Sequence, residues 1–288
     1  MEIAIIGTGL IGSSIALAIR SFHTHILGVD KNSTHAQKAL ELGIIDEICT
    51  LEDAIPRVEL CILAIPVDAA RELLPHILDL LQSDAVVIDM GSTKSGICDK
   101  VRTHPKRGNF VASHPMAGTE NSGPEAAFID LFKDKKTIIC EAELSHPNAL
   151  KLAQTLYKIL GMTILYMSPK EHDKHIAYVS HLTHIIAYAL SLTVQEIEKD
   201  EKKIFEMAGS GFESTVRIAK SSTDMWTPIF RQNADYLINS IDKYIQVLTE
   251  FKTNIVNNAY SDLYNLIKEA NKIRDILDIH TTNKKNNI

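Results

Sequence analysis

Apolar residues fall along the first part of this chain in two alternating patterns: short continuous runs and longer stretches at helical spacing. Glu2–Ile6 is a β-branched run of strand length, and residues 13–20, rich in Ala, Leu and Ile, predict a buried helix. His25–Val29 predicts a second strand. Residues 59–65 predict a third, closed by Pro66, and residues 67–81 a helix. Residues 85–88 form a fourth strand running into Asp89-Met90-Gly91-Ser92-Thr93-Lys94, with a helix to Arg102 after it. The apolar run 109–112 reads as a short buried strand, 137–140 and 162–167 as two more, and residues 146–160 as the helix between them. Strands alternating with helices predict an α/β fold, a mostly parallel, doubly wound Rossmann-type sheet over residues 1–168.

After Pro169 the strand signal stops. Residues 170–199 predict a long apolar-rich helix, followed by helical stretches at 212–220, 227–251 and 253–279 and a frayed tail at 284–287. The expectation is therefore two domains, a dinucleotide-binding domain 1–168 and an all-helical domain 169–288. Helices this apolar need covering, which predicts a homodimer built on the second domain.

The turn after the first strand is Gly7-Thr8-Gly9-Leu10-Ile11-Gly12. In such a turn the first glycine permits a tight bend, the second lets backbone approach a pyrophosphate, and the third lets helix pack on strand. The following helix offers free N–H groups and a positive dipole end to phosphate. Asp30 ends the second strand, 18 positions beyond Gly12, near the spacing of a ribose-binding carboxylate. A carboxylate there accepts from both ribose hydroxyls and repels a 2′-phosphate, so the expected cofactor is NAD rather than NADP. His114 follows the strand at 109–112 in a Gly/Pro loop, where open α/β sheets place their ligands. Imidazole also suits proton transfer near neutral pH.

Composition narrows the partners. Of 288 residues, 30 are basic and 36 acidic, a formal charge of −6 that leaves no basic stripe for nucleic acid. Cys49, Cys61, Cys98 and Cys140 have neither paired nor metal-like spacing, as expected of a reduced protein. No stretch reads as the roughly 18 apolar residues that span a bilayer, and Met1 leads directly into a strand without a cleavable leader. The expectation is a cytoplasmic protein with no membrane partner.

Five motifs together are specific: G-T-G-L-I-G at residue 7, D-M-G-S-T-K at 89, S-H-P-M-A-G-T-E at 113, S-H-L-T-H at 180, and A-G-S-G-F-E-S-T-V-R-I-A at 208. In this order, over residues 7–226, they resemble the prephenate/arogenate dehydrogenase family of tyrosine biosynthesis. The resemblance implies NAD-dependent oxidative decarboxylation of a cyclohexadienol that carries two carboxylates. The product is 4-hydroxyphenylpyruvate from prephenate, or tyrosine from arogenate.

Under that resemblance His114 takes the hydroxyl proton and Ser92 bridges the same hydroxyl to the nicotinamide ribose; by residue type Ser92 also fits a cap of the next helix, and the two roles are compatible. Arg217 offers a guanidinium fork to a substrate carboxylate. Ser180, His181 and His184 are implied substrate contacts. The two histidines, three apart, share a helix face, and without an H-E-x-x-H pattern or a nearby acid no metal is expected. Thr119, Glu120 and Trp226 are implied at the pocket mouth. His172 and His175 could approach the site but are not separable from helix surface. Two other readings compete: a β-hydroxyacid dehydrogenase, which needs a lysine where this chain has histidines, and a non-catalytic NAD-binding redox sensor, which needs neither His114 nor Arg217.

Overall fold

The computed structural model describes residues 1–22, 24–275 and 277. Among them eight strands form one sheet: β1 (Glu2–Ile6), β2 (His25–Val29), β3 (Glu47–Ile48), β4 (Leu60–Leu63), β5 (Val86–Asp89), β6 (Phe110–Pro115), β7 (Lys136–Cys140) and β8 (Thr163–Met167). Their order is β3-β2-β1-β4-β5-β6-β7-β8, parallel throughout except between β6 and β7. The helices that wind around it are α1 (Leu10–Ile19), α2 (Ser33–Glu41), α3 (Leu51–Ala54), α4 (Val67–Leu80), α5 (Ser95–Val101) and α6 (Pro147–Ile159).

The period of two along β1 explains the double winding. Ile3 and Ile5 enter one core with Ile15 and Ile19 of α1 and Ala153 and Tyr157 of α6. Ala4 and Ile6 enter another with Ala70, Leu74, Ile77 and Leu78 of α4. Both faces of the sheet are thus buried, and the strands read as continuous apolar runs rather than alternating ones. Because β1, β4, β5 and β6 are parallel, their carboxyl ends, at Gly7, Ala64, Met90 and Pro115, share one edge. From β1 the chain builds outward to β2 and β3 and then returns to add β4 on the other side of β1, and this reversal of strand order opens a crevice at that edge.

Several boundaries differ from the sequence expectation. The first helix starts at Leu10, within the glycine turn, and α2 and the two-residue β3 carry too few apolar residues to be read. The antiparallel β7 follows a loop whose 3₁₀ turn Ile129–Phe132 buries Leu131 and Phe132 in the core. That anchored loop brings the chain back beside β6 without a crossover helix.

The helical part begins with α7 (Pro169–Ile176), capped by a reciprocal Ser168–Glu171 box. It continues through a π-helical turn, Ala177–His181, into α8 (Leu182–Glu201). Then come α9 (Ser210–Val216), α10 (Thr223–Gln232), α11 (Ala234–Val256) and α12 (Tyr260–Ala270). The expected single helix 227–251 is broken at Asn233, a 3 % exposed residue whose amide donates to the Asp173 carbonyl. Of the expected helix 253–279, residues 253–256 belong to α11 and Tyr260–Ala270 form α12, with helix again at 273–275. The tail at 284–287 lies outside them. One expectation is corrected: the helical run Pro169–Glu201 is long and apolar enough, by length and composition alone, to cross a membrane, and 22 % of its apolar window is buried. Its apolar residues are interrupted by Ser180, His181 and His184, which hides the span from a search for an unbroken run.

Two compact units emerge, Met1–Leu237 and Ile238–Ile288. The first contains the sheet and every candidate site residue. In the second, Ile245, Leu248, Ile255, Tyr264 and Ile267 are exposed.

Candidate active site

The glycine turn has the geometry of a phosphate cradle. Gly7 sits at φ +96°, a left-handed conformation, and a side chain there would strike the Ala64 carbonyl. A side chain on Gly12 would strike the Gly7 carbonyl, so α1 packs against the turn it leaves. Around Gly9 nothing lies within 4 Å of a would-be Cβ. Gly9 caps α1 without any side-chain hydrogen bond, which leaves the first helical amides of Leu10 and Ile11 without a side-chain partner. Asp30 is held beside the turn: its Oδ2 accepts from the Thr8 amide at 2.7 Å and the Thr8 hydroxyl at 2.9 Å, and its Oδ1 from the Asn32 amide at 2.8 Å. The open backbone, the uncapped helix start and the anchored carboxylate all fit a dinucleotide.

His114 lies at the end of β6, 8 % exposed, paired with Ile138 across the antiparallel ladder. Its Nδ1 is 2.8 Å from Nε2 of His172, and Nδ1 of His172 is 2.8 Å from the Asp173 carboxylate. The same carboxylate accepts the amides of Lys94 and Ser95, both at 2.8 Å. Asp173 therefore caps α5, and the N-cap reading of Ser92 is corrected. Ser92 is half-buried in the loop before α5, whose N-cap position is Lys94. Fully buried Lys94 pairs with Asp89 and donates to the Ser113 carbonyl at 2.7 Å.

The electrostatics keep these histidines neutral. Burial, and then the charges of His172, Lys94 and His181, push His114 well below the ordinary 6.5. Burial also lowers His172, against the opposing pull of Asp173. Burial tends to raise Asp173, but hydrogen bonds from His172 and Ser95 hold it below the usual carboxylate range.

The helical elements bring a second group of rings to the same network. Asn233 Nδ2 donates to the Asp173 carbonyl at 2.7 Å and meets His181 Nδ1 at 3.1 Å. A carbonyl only accepts, so the amide nitrogen is fixed and His181 Nδ1 must accept from it. Its other nitrogen then carries the proton. That Nε2–H is buried without a partner, as is the indole N–H of Trp226. His181 meets the Trp226 ring edge-on with centroids 5.9 Å apart, and His184 stacks on it at 3.5 Å. His184 Nδ1 donates to the Ser180 carbonyl at 3.0 Å, which leaves Nε2 of the neutral ring as an acceptor. Burial lowers His181 to about 4 and lowers His184 as well. Two orphaned donors and an acceptor around one indole are what an oxygen-rich ligand satisfies. The π-helical turn that ends at His181 re-aims this segment, as such turns do at functional sites.

At an exposed rim, Arg217 Nη1 donates to Glu120 at 2.7 Å, and Thr119 Oγ1 accepts the Asn121 amide at 3.2 Å. The structure thus links His114, His181 and Trp226 through Asp173 and stacks His184 on that tryptophan. It pairs Arg217 with Glu120, and the Arg217 charge acts on His184. His175 is exposed. Sequence reading left His172 undecided between site and helix surface and missed Asp173 and Lys94. A signal for His172 and Asp173 exists: Pro169 and Ile176 define the inward face of α7, and positions 172 and 173 fall on that face.

Known proteins resemble this chain over most of its length. Residues 15–166 match the family model "Prephenate dehydrogenase, nucleotide-binding domain", and residues 168–269 match "Prephenate dehydrogenase, dimerization domain". A cyclohexadienyl dehydrogenase of Zymomonas mobilis is 32 % identical over 277 residues, 95 % of this chain and 94 % of that protein. A prephenate dehydrogenase of Bacillus subtilis is 31 % identical over 96 % of this chain and 76 % of its own length. The crystal structure of an Aquifex aeolicus prephenate dehydrogenase, in complex with hydroxyphenyl propionate and NAD+, superposes with a TM-score of 0.87. It is 34 % identical, with 95 % of this chain and 97 % of that one covered.

Proposed function

Because the chain belongs to the prephenate dehydrogenase family, we propose that it oxidatively decarboxylates prephenate to 4-hydroxyphenylpyruvate, a step of tyrosine biosynthesis. The observation that carries this reading is His114, buried and held neutral at the ligand-binding edge of a dinucleotide-binding sheet. A neutral imidazole there accepts the hydroxyl proton of the substrate, a contribution of typically 10²–10⁴-fold in rate. Ser92, in the loop after β5, donates to or accepts from the same hydroxyl. The electron pair of the ring–carboxylate bond stays with the ring as CO2 leaves, and aromatisation makes the step irreversible.

The cofactor is NAD, which supplies the hydride acceptor when bound. Gly7, Thr8, Gly9, Leu10, Ile11 and Gly12 hold its phosphates and Asp30 its ribose. Arg217 takes a substrate carboxylate. Ser180, His181 and His184 contact the substrate, with His181 and Trp226 supplying their orphaned N–H groups. Thr119 and Glu120 line the rim. Residues 1–168 act as the nucleotide domain and 169–288 as the substrate and dimerisation domain, and the protein works as a cytoplasmic homodimer. The exposed Leu192 and Ile197 of α8, and Ile245 and Leu248 of α11, support burial against a second copy.

A second reading is arogenate as substrate, giving tyrosine, which the cyclohexadienyl dehydrogenase relative favours. The test is NADH formation with prephenate or arogenate, in wild-type protein and His114→Asn. Turnover that collapses in the variant while NAD binding persists supports the reading, and the faster substrate chooses the branch. NAD binding without turnover of either substrate refutes it.

A further inference from the structure

We infer that His172 and Asp173 lock His114 in the tautomer with its proton on Nδ1, so that Nε2 is the lone pair that meets the substrate hydroxyl. The inference rests on His114 serving as the base. Its logic is donor and acceptor counting along three contacts. The Asp173 carboxylate already accepts from two backbone amides and only accepts, so His172 Nδ1, 2.8 Å away, must carry a hydrogen. A neutral His172 then has a bare Nε2, which can only accept. His114 Nδ1, 2.8 Å from it, must be the donor. The proton of a neutral His114 is thereby placed on Nδ1 and Nε2 is left bare. No described residue hydrogen-bonds that Nε2, and it is not among the polar atoms sealed from solvent. The ring centroids are 5.1 Å apart with 72° between planes, a separation that fits rings meeting through their nitrogen-bearing edges.

The lock serves the transfer as well as the resting state. As the substrate O–H breaks and an Nε2–H forms, His114 becomes an imidazolium with both nitrogens protonated. Its Nδ1–H already points at His172, whose own Nδ1–H points at the Asp173 anion. The new charge is therefore met by an oriented chain without rearrangement. The proton later leaves Nε2 for solvent. His172 and Asp173 never touch substrate in this scheme and are positioning residues. Asp173 also caps α5 behind the Ser92 loop, which makes His172 the cleaner position to change.

The test combines ring-nitrogen NMR with kinetics on His172→Leu and His172→Gln. In wild-type protein, with His114→Asn used for assignment, His114 is expected to show a protonated Nδ1 and a bare Nε2 near neutral pH. His172→Leu removes the acceptor and frees the other tautomer. Its kcat is expected to fall roughly 100-fold with KM little changed, the low end of what a positioned base contributes. His172→Gln, whose amide oxygen can accept at the Nε2 position, is expected to recover most of that loss. A wild-type His114 protonated on Nε2 overturns the inference, and so does a His172→Leu enzyme with unchanged kcat. Wild-type protein that turns over neither prephenate nor arogenate refutes the function instead, and the ring tautomer still decides the lock.

Discussion

The Lys94 ammonium donates to the Ser113 carbonyl at 2.7 Å, one residue before His114. Lys94, at the start of α5, and Asp89, at the end of β5, are fully buried, so this pair straps the end of β5 to the strand that carries the base. Ser113 adds a second strap, its hydroxyl donating to the Asp89 carbonyl at 2.5 Å. Lys94→Met leaves Asp89 buried and unpaired, a loss of about 3–5 kcal/mol in unfolding free energy. Adding Asp89→Leu removes the orphaned charge and should restore most of it in denaturant titrations. A single variant as stable as wild type counts against the strap.

Arg217 meets Glu120 through one guanidinium nitrogen, and its side chain is 56 % exposed. An exposed pair contributes little to folding, so Arg217→Lys should shift unfolding free energy by less than about 1 kcal/mol. Its effect belongs in binding. A lysine cannot offer a planar fork to a carboxylate, and KM for prephenate should rise roughly tenfold or more with kcat less affected. Equal KM values in the two proteins would remove Arg217 from the substrate site.

Asp30 is held at Thr8 and Asn32 by three hydrogen bonds, so its carboxylate is presented in one place. Asp30→Ser should raise KM for NAD roughly tenfold, about 1.4 kcal/mol of lost ribose contact. It should also narrow the preference over NADP, since the repulsion toward a 2′-phosphate is gone. Steady-state kinetics with both cofactors measure this. An unchanged NAD/NADP ratio sinks the role.

These predictions draw unequally on what the sequence makes legible. The glycine turn, Asp30, His114 and the strands β1, β2 and β4 are readable because local chemistry decides them: a β-branched run, a turn that needs glycine, a strand end. The Asp173 network is not. Asp173 acts at the β5–α5 loop, at His172 and, through Asn233, near His181, contacts separated by up to 79 residues. Only tertiary packing brings them together. Polar residues on an inward helix face read as surface unless the apolar stripe beside them is followed. The break at Asn233 is hidden for the same reason, because a partner on α7 pins it rather than a glycine or proline.

Activity should persist below the pH at which ordinary histidines protonate. His114 must be neutral to accept a proton, and burial, then His172, Lys94 and His181, hold it well below 6.5. The acid limb of kcat/KM therefore belongs below 6.5, and an apparent value at or above that figure argues for a different base.

The same burial makes the fold acid-sensitive. His181 titrates at about 4 in the folded protein, against 6.5 when unfolded. Above 6.5 both states are neutral and pH has no effect through this group. Below 6.5 the unfolded chain takes up a proton that the folded one refuses, so stability falls until about pH 4, by about 3 kcal/mol for this residue alone. Buried His114 and His172 act in the same direction. Asp173 adds its loss only below 3.8, whereas Asp89, raised by burial, works in the opposite sense. Comparing wild type with His181→Gln cancels those shared contributions. The gap in unfolding free energy between the two proteins should shift in favour of the variant by about 3 kcal/mol between neutral pH and pH 4. A gap that stays constant over that range means His181 takes up its proton equally in the folded and unfolded states, and burial then does not hold it neutral below 6.5.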